Sequence, residues 1–541
     1  MTPSAKTITI TPTVENQTAP PPLPTVLAAW RWWLAPALVA LAFAVLFADP
    51  FIGDWDALDY TINAVNGTPS TMALGRILFI FFNHALWLIS HKIFHLQAEQ
   101  AYLLFKYAVA AQGFLAVVAC WTLARDLTGS LHTATVAALL VAVSPVFVMY
   151  SGQVMTDVPS VLIVAVALTV HLRGLRRGRV WLVLLGAALL GAGANVRETA
   201  TFYAPWLVIA PFVCGWKLRA REIGWTIAAC VVFVTTALAP FAVWYAMDLN
   251  GYRTSWQVWR ETMNAEVTRH PVELRNLYQF LLFFFALSPL TVVALPAAIW
   301  REWREHKLSP LLLTALMGLF ANLLLFFNYS TVINWRYFLT GLPALVPIVA
   351  SFFMRSQLKM MSNVRRAFWS VVAGIMFMTL LCGFYLKPVS SDYIRKRVEH
   401  KKYLERLKLL PTDAVVIAGG ETIAVNYWQG IGVGRWQTIG TGSGWPGEQL
   451  IPAIEKYLNS GSRVFLDKDS RWWSPCGWQK EETIALVSIE RHFHFRRVSD
   501  TIYEIRPLAD ETAHDAPHLE SLLPENRPDD TRICQGIGKS P

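Results

Sequence analysis

The chain has 541 residues, of which 54% are hydrophobic and only 16% are charged, and its mean hydropathy is +0.38. Soluble globular chains carry about 25% charged residues, so this composition excludes an ordinary cytosolic enzyme. The net charge of +10 would indicate a nucleic-acid partner if the basic residues belonged to a polar part of the chain. Instead, residues 1–387 hold 27 Lys and Arg against 16 Asp and Glu, whereas residues 388–541 hold 20 against 21. The basic excess therefore belongs to the hydrophobic part, and no nucleic-acid partner is expected.

About eleven apolar runs predict membrane-spanning helices, several of them shorter than the roughly 20 residues that a straight crossing needs. The first run, Leu34–Ala48, lies too far from the start for a cleaved signal peptide, so residues 1–33 are predicted to be a disordered cytoplasmic segment. The later runs are 102–124, 134–150, 158–172, 180–194, 200–214, 225–247, 277–300, 311–327, 337–354 and 368–386. No matched pair of Gly- or Pro-broken spans is evident, which argues against an inverted-repeat transporter.

The segment Met72–Phe94 is apolar but is interrupted by polar and charged residues. If it lies in the membrane interface and does not cross, the basic clusters all face one compartment. This assignment places 17 Lys and Arg on the cytoplasmic side and 10 on the other, while 11 of the 16 acidic residues lie outside. The N-terminus is then cytoplasmic, and the C-terminal region lies on the outer side.

Residues 388–509 are predicted to form a small extracytoplasmic α/β domain, and residues 510–541 a flexible tail. Ala414–Gly419, Arg463–Leu466 and Ile502–Ile505 have strand composition, and Glu448–Leu458 has helical spacing. The glycines between Gly430 and Gly447 indicate loops. If this domain is exported, Cys476 and Cys534 are a candidate disulfide.

Charged residues emerge on the predicted outer face at the ends of four spans. The first outer loop carries Asp54, Asp56 and Asp59, and carboxylates at the membrane edge need a partner, a cation or a catalytic role. Their ordinary interpretation is a solvated loop beside a helix start. The other three groups are Asp157, Arg197 with Glu198, and Arg336 with Tyr337. Their ordinary interpretations are, in that order, a carboxylate at a helix start, a surface ion pair and an interface anchor. Carboxylates opposed by two arginines predict a site that holds a hydroxyl acceptor against a phosphate leaving group.

Nucleotide-driven chemistry and metalloprotease chemistry have no support, because no P-loop, H-E-x-x-H, G-x-S-x-G or zinc spacing occurs. A transporter or lipid-sugar flippase would show the same hydropathy and remains the alternative. A third hypothesis is a catalytically silent protein whose C-terminal region binds envelope polymers.

Three motifs resemble those of one family. Asp56-Ala57-Leu58-Asp59-Tyr60, followed by Ala64 and Gly67, has the shape of an Asp-Glu-x-x-Tyr motif in a first outer loop. Ser144-Pro145 leads to Thr156-Asp157, and Arg336-Tyr337 leads to Pro343. In these features the chain resembles the GT-C membrane glycosyltransferases of family 39, which include protein O-mannosyltransferases, aminoarabinose transferases and related bacterial enzymes. The resemblance covers residues 49–354 and departs at Ala57, where Glu is usual, and at Gly152, where Arg is frequent.

The resemblance implies a polytopic α-helical protein of the bacterial inner membrane, with a transmembrane glycosyltransferase domain at residues 34–387, a first outer loop at 49–101 and a periplasmic C-terminal domain. Such enzymes move a sugar from a polyprenyl-phosphate carrier to a lipid, glycan or protein acceptor in the cell envelope, with inversion. Asp56 or Asp54 would be the general base. Asp59, Tyr60, Asp157, Arg197, Arg336 and Tyr337 would bind substrates, with the two arginines stabilising the departing phosphate. Some members use a divalent metal, for which Asp54, Asp56 and Asp157 are the candidate ligands here.

Overall fold

The computed structural model describes residues 28–72, 74–217, 219–269, 276–329, 335–418, 422–440, 447–468, 487–508, 515 and 517–519. The candidate disulfide Cys476–Cys534, most of the N-terminal segment and most of the C-terminal tail lie outside the described residues. Within them the α-helices are α1 (Trp30–Leu46), α2 (Trp55–Asn66), α3 (Ile77–Phe94), α4 (Ala101–Thr128), α5 (Leu131–Ala142), α6 (Pro145–Ser151), α7 (Asp157–Arg177), α8 (Val180–Ala194), α9 (Ala204–Val213), α10 (Ala220–Met247), α11 (Tyr252–Arg269), α12 (Asn276–Leu287), α13 (Pro289–His306), α14 (Pro310–Tyr329), α15 (Leu342–Met361), α16 (Val364–Leu407), α17 (Thr422–Gly430) and α18 (Gly447–Asn459).

All eleven predicted spans fall on these helices, which confirms the polytopic helical fold. In the described part of the chain, six helices are long and apolar enough to cross a membrane, or eight if each of two bent pairs counts as one span. Three shorter apolar helices are Trp30–Leu46, Val180–Ala194 and Pro310–Leu325. The first helix begins at Trp30, within the segment predicted to be disordered.

Two predicted spans are broken at a Ser-Pro dipeptide, and the two breaks meet. Helices α5 and α6 are bent by 64° before Pro145, and α12 and α13 by 96° before Pro289, because proline cannot continue a regular helix from the preceding turn. The Ser144 hydroxyl caps α6 and donates to the Leu287 carbonyl at 2.5 Å, which joins the two breaks. These two breaks were not predicted, because hydropathy alone did not separate two short helices from one long helix.

The basic clusters gather at one end of the bundle. Helices α4 and α7 both run to this end, where Asp126 pairs with Arg125 at 3.0 Å and also with Arg173. The last turns of α13 and α15 meet at the same end, where Arg355 pairs with Glu302 at 3.1 Å. We call this end the basic end, and the opposite end, which holds α2, the site end.

Helix α3 starts and finishes at the site end. The Leu78 amide donates to the Asn195 carbonyl at 3.1 Å, in the turn that precedes Arg197. Just beyond its other terminus, the Ala98 carbonyl accepts from the Tyr427 hydroxyl at 2.9 Å. Tyr427 in turn packs on Phe51, three residues before Asp54. Although α3 has the length and apolar character of a span, its two ends lie on one side, as the interfacial assignment requires.

In the described part of the C-terminal domain, five strands form a mixed sheet. Its strands are β1 (Val415–Ala418), β2 (Gln437–Gly440), β3 (Val464–Asp467), β4 (Phe493–Arg497) and β5 (Ile502–Pro507). β1 pairs in parallel with β2 and β3, whereas β5 runs antiparallel to β3 and β4. The predicted strands β1, β3 and β5 and helix α18 are confirmed. The loop interpretation is wrong for Gln437–Gly440, which pairs as a strand inside the glycine-rich stretch.

The C-terminal domain rests on α2 through helix α17. The Asn66 side-chain amide donates to the Gly430 carbonyl at 3.2 Å, and a Cβ at Gly430 would lie 2.6 Å from an Ile62 methyl group. Tyr427 is fully buried against Phe51 and Tyr102. The helix that carries the acidic motif is therefore held between the membrane bundle and the sheet domain.

Candidate active site

The acidic motif forms the first turn of α2. Asp54 is extended at the N-cap, where its Oδ1 accepts from the Asp56 amide at 3.0 Å, as an aspartate at this position usually does. Gly67 ends the helix at φ +69°, a conformation that glycine adopts without steric cost. These local signals fix where α2 begins and ends, and they place Asp54 and Asp56 at its N-terminus.

Arg336 joins both carboxylates from the other side of the site. It lies in the 3-10 helix Trp335–Gly341 and donates to Asp54 Oδ2 at 3.1 Å and to Asp56 Oδ2 at 2.5 Å. The guanidinium is 5% exposed, whereas the two carboxylates are 23% and 24% exposed. Burial raises the pKa of the Asp54 carboxyl, while Arg336 opposes this shift and Asp56 adds to it. The carboxylates thus form the accessible rim of the site, with the arginine beneath them.

A second ion pair lies deeper. Arg197 and Asp157 approach to 2.8 Å, with side chains only 2% and 1% exposed. Arg197 also donates to the Thr156 hydroxyl at 3.1 Å. The ordinary interpretation that Arg197 pairs with its neighbour Glu198 is wrong, because Glu198 pairs with Arg76 instead.

Tyr337 connects the two arginines. The Arg197 guanidinium lies 4.8 Å from the centre of its ring and that of Arg336 5.3 Å, both within the range of cation–π attraction. The predicted residues Asp54, Asp56, Asp157, Arg197, Arg336 and Tyr337 therefore lie in one connected group.

A cluster of buried hydroxyls supports this group from behind. The Thr340 hydroxyl lies 2.7 Å from that of Thr199 and 3.3 Å from that of Ser160, and the Thr340 carbonyl accepts from the Tyr203 hydroxyl at 2.9 Å. Thr199 and Tyr203 belong to the 3-10 helix Glu198–Tyr203. The segment that follows Arg197 is thereby fixed to the segment that contains Arg336.

Asp59 and Tyr60 occupy the interior of the first outer loop. Asp59 accepts from the Ser70 hydroxyl at 2.5 Å and from the Asn63 amide at 2.8 Å. Tyr60 is 1% exposed and packs edge-on against Phe79. Their contacts in the structure hold α2 against the chain that follows it.

Asp59 gives a testable pH dependence. Burial raises the pKa of its carboxyl from 3.8 to about 6, so the folded protein binds this proton more tightly than the unfolded chain does. The free energy of unfolding should therefore fall between about pH 4 and pH 6, by on the order of 2 kcal/mol, and then level off. Urea unfolding of the wild type and Asp59→Asn at pH 4–7 measures this change. An identical pH profile for both proteins would contradict it.

Two buried basic residues at the site end, Arg76 and Lys106, were not among the predicted site residues. Arg76, 6% exposed, pairs with Glu198 and so ties the start of α3 to the segment after Arg197. Lys106, 5% exposed, donates to the Asp49 carbonyl at 2.9 Å. Both basic residues interrupt apolar runs in the sequence, and an ionisable residue in such a run is the signal that identifies them.

The end of helix α1 packs closely against Gly152, the position where the sequence departs from the family that it resembles. A Cβ at this position would lie 2.6 Å from the Ala44 carbonyl oxygen and 2.7 Å from the Ala48 Cα, so a larger side chain has no space. The Asp49 amide donates to the Gly152 carbonyl at 3.1 Å, which keeps the two segments together. An arginine is thus excluded at Gly152 by the end of α1.

We expect Gly152→Ala to lower the free energy of unfolding by about 1–3 kcal/mol, because the end of α1 must move. Gly374→Ala is the control, since Gly374 is helical and a Cβ there meets no atom within 4 Å. Thermal unfolding in detergent compares the two variants. Equal melting temperatures would show that the contact with α1 is easily relaxed.

The candidate metal ligands do not form a ligand group. Among the described residues, which include Asp54, Asp56 and Asp157, no three His, Cys, Asp or Glu side chains are arranged to hold a metal ion. Arg336 supplies the positive charge between Asp54 and Asp56, and Arg197 neutralises Asp157. These residues do not fit a metal site in this conformation.

Two solved membrane proteins share this fold. The chain superimposes on ArnT from Cupriavidus metallidurans, crystallised with undecaprenyl phosphate, with a TM-score of 0.58 at 13% identity, covering 90% of this chain and 100% of that one. It also superimposes on the archaeal oligosaccharyltransferase AglB from Archaeoglobus fulgidus, in complex with an inhibitory peptide and a dolichol-phosphate. The TM-score there is 0.51 at 12% identity, covering 92% and 77% of the two chains.

A family model matches part of the sequence. Residues 80–244 match the family described as Dolichyl-phosphate-mannose-protein mannosyltransferase. A search of curated proteins finds no significant match. The predicted resemblance to GT-C glycosyltransferases of the protein mannosyltransferase and ArnT kind is therefore confirmed, and the chain is an integral membrane protein with this fold.

Proposed function

We propose that the protein transfers a sugar from a polyprenyl-phosphate carrier to an acceptor hydroxyl on the outer face of the bacterial inner membrane, with inversion. The observation that carries the proposal is the pair of accessible carboxylates, Asp54 and Asp56, held on one buried arginine at the site end. This group supplies both a proton acceptor and a cation for a phosphate. The carriers crystallised with ArnT and AglB, undecaprenyl phosphate and a dolichol-phosphate, support a lipid-phosphate donor.

Asp56 is the better base of the two carboxylates. Asp54 uses Oδ1 to cap α2 and Oδ2 to accept from Arg336. Asp56 accepts from Arg336 through Oδ2, and its Oδ1 has no hydrogen-bond donor in the described part of the chain. That oxygen is available to an acceptor hydroxyl, and general-base assistance of this kind contributes about 10²–10⁴ in rate.

The proposed step transfers one proton and exchanges one bond. The acceptor hydroxyl gives its proton to Asp56 Oδ1 while its oxygen bonds to the anomeric carbon. The bond between that carbon and the carrier phosphate oxygen breaks, and the electron pair leaves with the lipid phosphate. Attack opposite the leaving phosphate inverts the anomeric carbon. Arg336, beneath the two carboxylates, is proposed to stabilise the negative charge that develops on the phosphate.

Arg197 and Asp157 are proposed to position this cation. At 2% and 1% exposure neither side chain contacts solvent, so a direct contact with substrate would require movement. Their pair holds Tyr337, against which the Arg336 guanidinium packs. Asp59 and Tyr60 are proposed to keep α2 in place through their contacts within the first outer loop.

The distribution of charge supports the proposed orientation. Lys- and Arg-rich connections of membrane proteins remain in the cytoplasm, and they gather here at the basic end. The site end and the sheet domain then face the periplasm, where polyprenyl-linked sugars and envelope acceptors meet.

The test is sugar transfer in membranes that contain the wild type or Asp56→Asn, with radiolabelled polyprenyl-phosphate hexoses and pentoses as donors. We expect label to move from the carrier to a lipid, glycan or protein fraction only with the wild type, and the labelled fraction identifies the acceptor class. Carrier that crosses the bilayer without losing its sugar would support a flippase. No transfer with any donor would support a silent binding protein.

A further inference from the structure

Helices α9 and α10 leave an apolar groove of about 590 Å³ between them. Val208 and Phe212 of α9 form one wall, and Ile223, Ile227 and Val231 of α10 form the other. All five side chains are exposed in the protein, so hydrocarbon would cover them in a membrane. The groove occupies the second half of α9 and the first half of α10, beside the connection that joins them.

That connection is cationic. Lys217, Arg219 and Arg221 are exposed, and no acidic side chain of the described residues pairs with them. The Trp216 indole donates to the Leu175 carbonyl at 3.2 Å, which places the connection beside Arg176 and Arg177 at the end of α7. Glu222 offsets one of these charges and leaves a net positive groove mouth.

The groove mouth is far from the proposed transfer site. Helix α9 begins just after the segment that follows Arg197 and runs about 15 Å toward the basic end before the connection is reached. A carrier whose phosphate lies at Arg336 leaves Lys217, Arg219 and Arg221 without an anion. The groove and its cations therefore suit a different lipid, with its headgroup at the basic end.

We infer that this groove binds an anionic phospholipid of the leaflet at the basic end. One acyl chain lies between α9 and α10, and the phosphate and any further anionic group of the headgroup lie against Lys217, Arg219 and Arg221. Both parts of the ligand match the protein, because the walls are apolar and the mouth is positive. This lipid site is independent of the transfer reaction.

The test measures co-purified phospholipid by native mass spectrometry in a mild detergent, with phosphatidylglycerol and phosphatidylethanolamine added at equal concentration. We expect the wild type to retain phosphatidylglycerol selectively. Lys217→Gln/Arg219→Gln/Arg221→Gln should lower bound phosphatidylglycerol by about 100-fold, as expected for three basic residues at a membrane surface. Val208→Trp, which fills the groove and keeps the charge, should lower total bound phospholipid.

The matched control is Lys359→Gln/Arg365→Gln/Arg366→Gln, which removes three exposed charges from another connection at the basic end. It should retain phosphatidylglycerol as the wild type does. An equal loss of bound phosphatidylglycerol in both triple variants would show that only the net charge matters, and it would contradict the proposed site. Loss of a polyprenyl lipid alone from Val208→Trp would assign the groove to the carrier and overturn it as well.

Discussion

Asp56→Asn is expected to lower kcat for sugar transfer by about 10²–10⁴-fold with little change in KM. The amide keeps the size of the side chain and retains an oxygen that accepts from Arg336, but it cannot take the proton of the acceptor hydroxyl. Initial rates of label transfer over a range of donor and acceptor concentrations separate the two constants.

Asp54→Asn is the matched control, since its two oxygens serve the helix cap and Arg336. Asparagine is also a good N-cap, so α2 should survive the change. We expect a smaller loss of activity than in Asp56→Asn. A larger loss in Asp54→Asn would transfer the role of base to Asp54, and full activity in both variants would remove the carboxylates from the chemistry.

Removing either partner of the Asp157–Arg197 pair should produce the largest loss of stability. The two side chains are almost fully buried, so Arg197→Met leaves the Asp157 carboxylate without its counter-charge in the interior. Breaking such a pair on one side costs about 3–5 kcal/mol. Chemical unfolding in detergent, with thermal unfolding as a second measurement, determines the loss for Arg197→Met and for Asp157→Asn.

The double variant distinguishes an ion pair from two unrelated side chains. If the cost comes from the uncompensated charge, Asp157→Asn/Arg197→Met should lose much less than the sum of the single variants. Arg497→Met is the exposed control, because Arg497 and Asp500 are 54% and 95% exposed and such pairs contribute little. Additive losses would contradict a buried ion pair.

The membrane part of the fold could be predicted because each predicted span is a continuous stretch of apolar residues. The breaks before Pro145 and Pro289 were missed for the same reason, since both halves of each bent pair are apolar. In the sheet domain, β2 was not predicted, because a strand of four residues among glycines shows almost no alternation of apolar and polar side chains.

The site shows a different limit. Asp54, Asp56 and Arg336 could be identified from the sequence because they are charged residues near the membrane edge. Their pairing joins positions more than 270 residues apart, so it depends on how the helices pack. Proximity in the sequence suggested the wrong ion pair, since Arg197 and Glu198 are adjacent but each pairs with a distant residue. Sequence thus supplied the chemical groups, while tertiary packing decided which carboxylate meets which cation.

The contact between α17 and α2 forms late in the synthesis of the protein. All the membrane helices leave the ribosome before strand β5 at residues 502–507, which pairs with β3, the neighbour of β1. Until that strand arrives the sheet beside α17 is incomplete. Helix α17 contacts α2 through Gly430 and Asn66, and it contacts the segment before α4 through Tyr427 and Ala98. We therefore expect the nascent chain to insert its membrane helices before α17 packs against α2, the helix that contains Asp56. The final folding event outside the membrane therefore completes the packing around α2, at the N-terminus of which Asp54 and Asp56 lie.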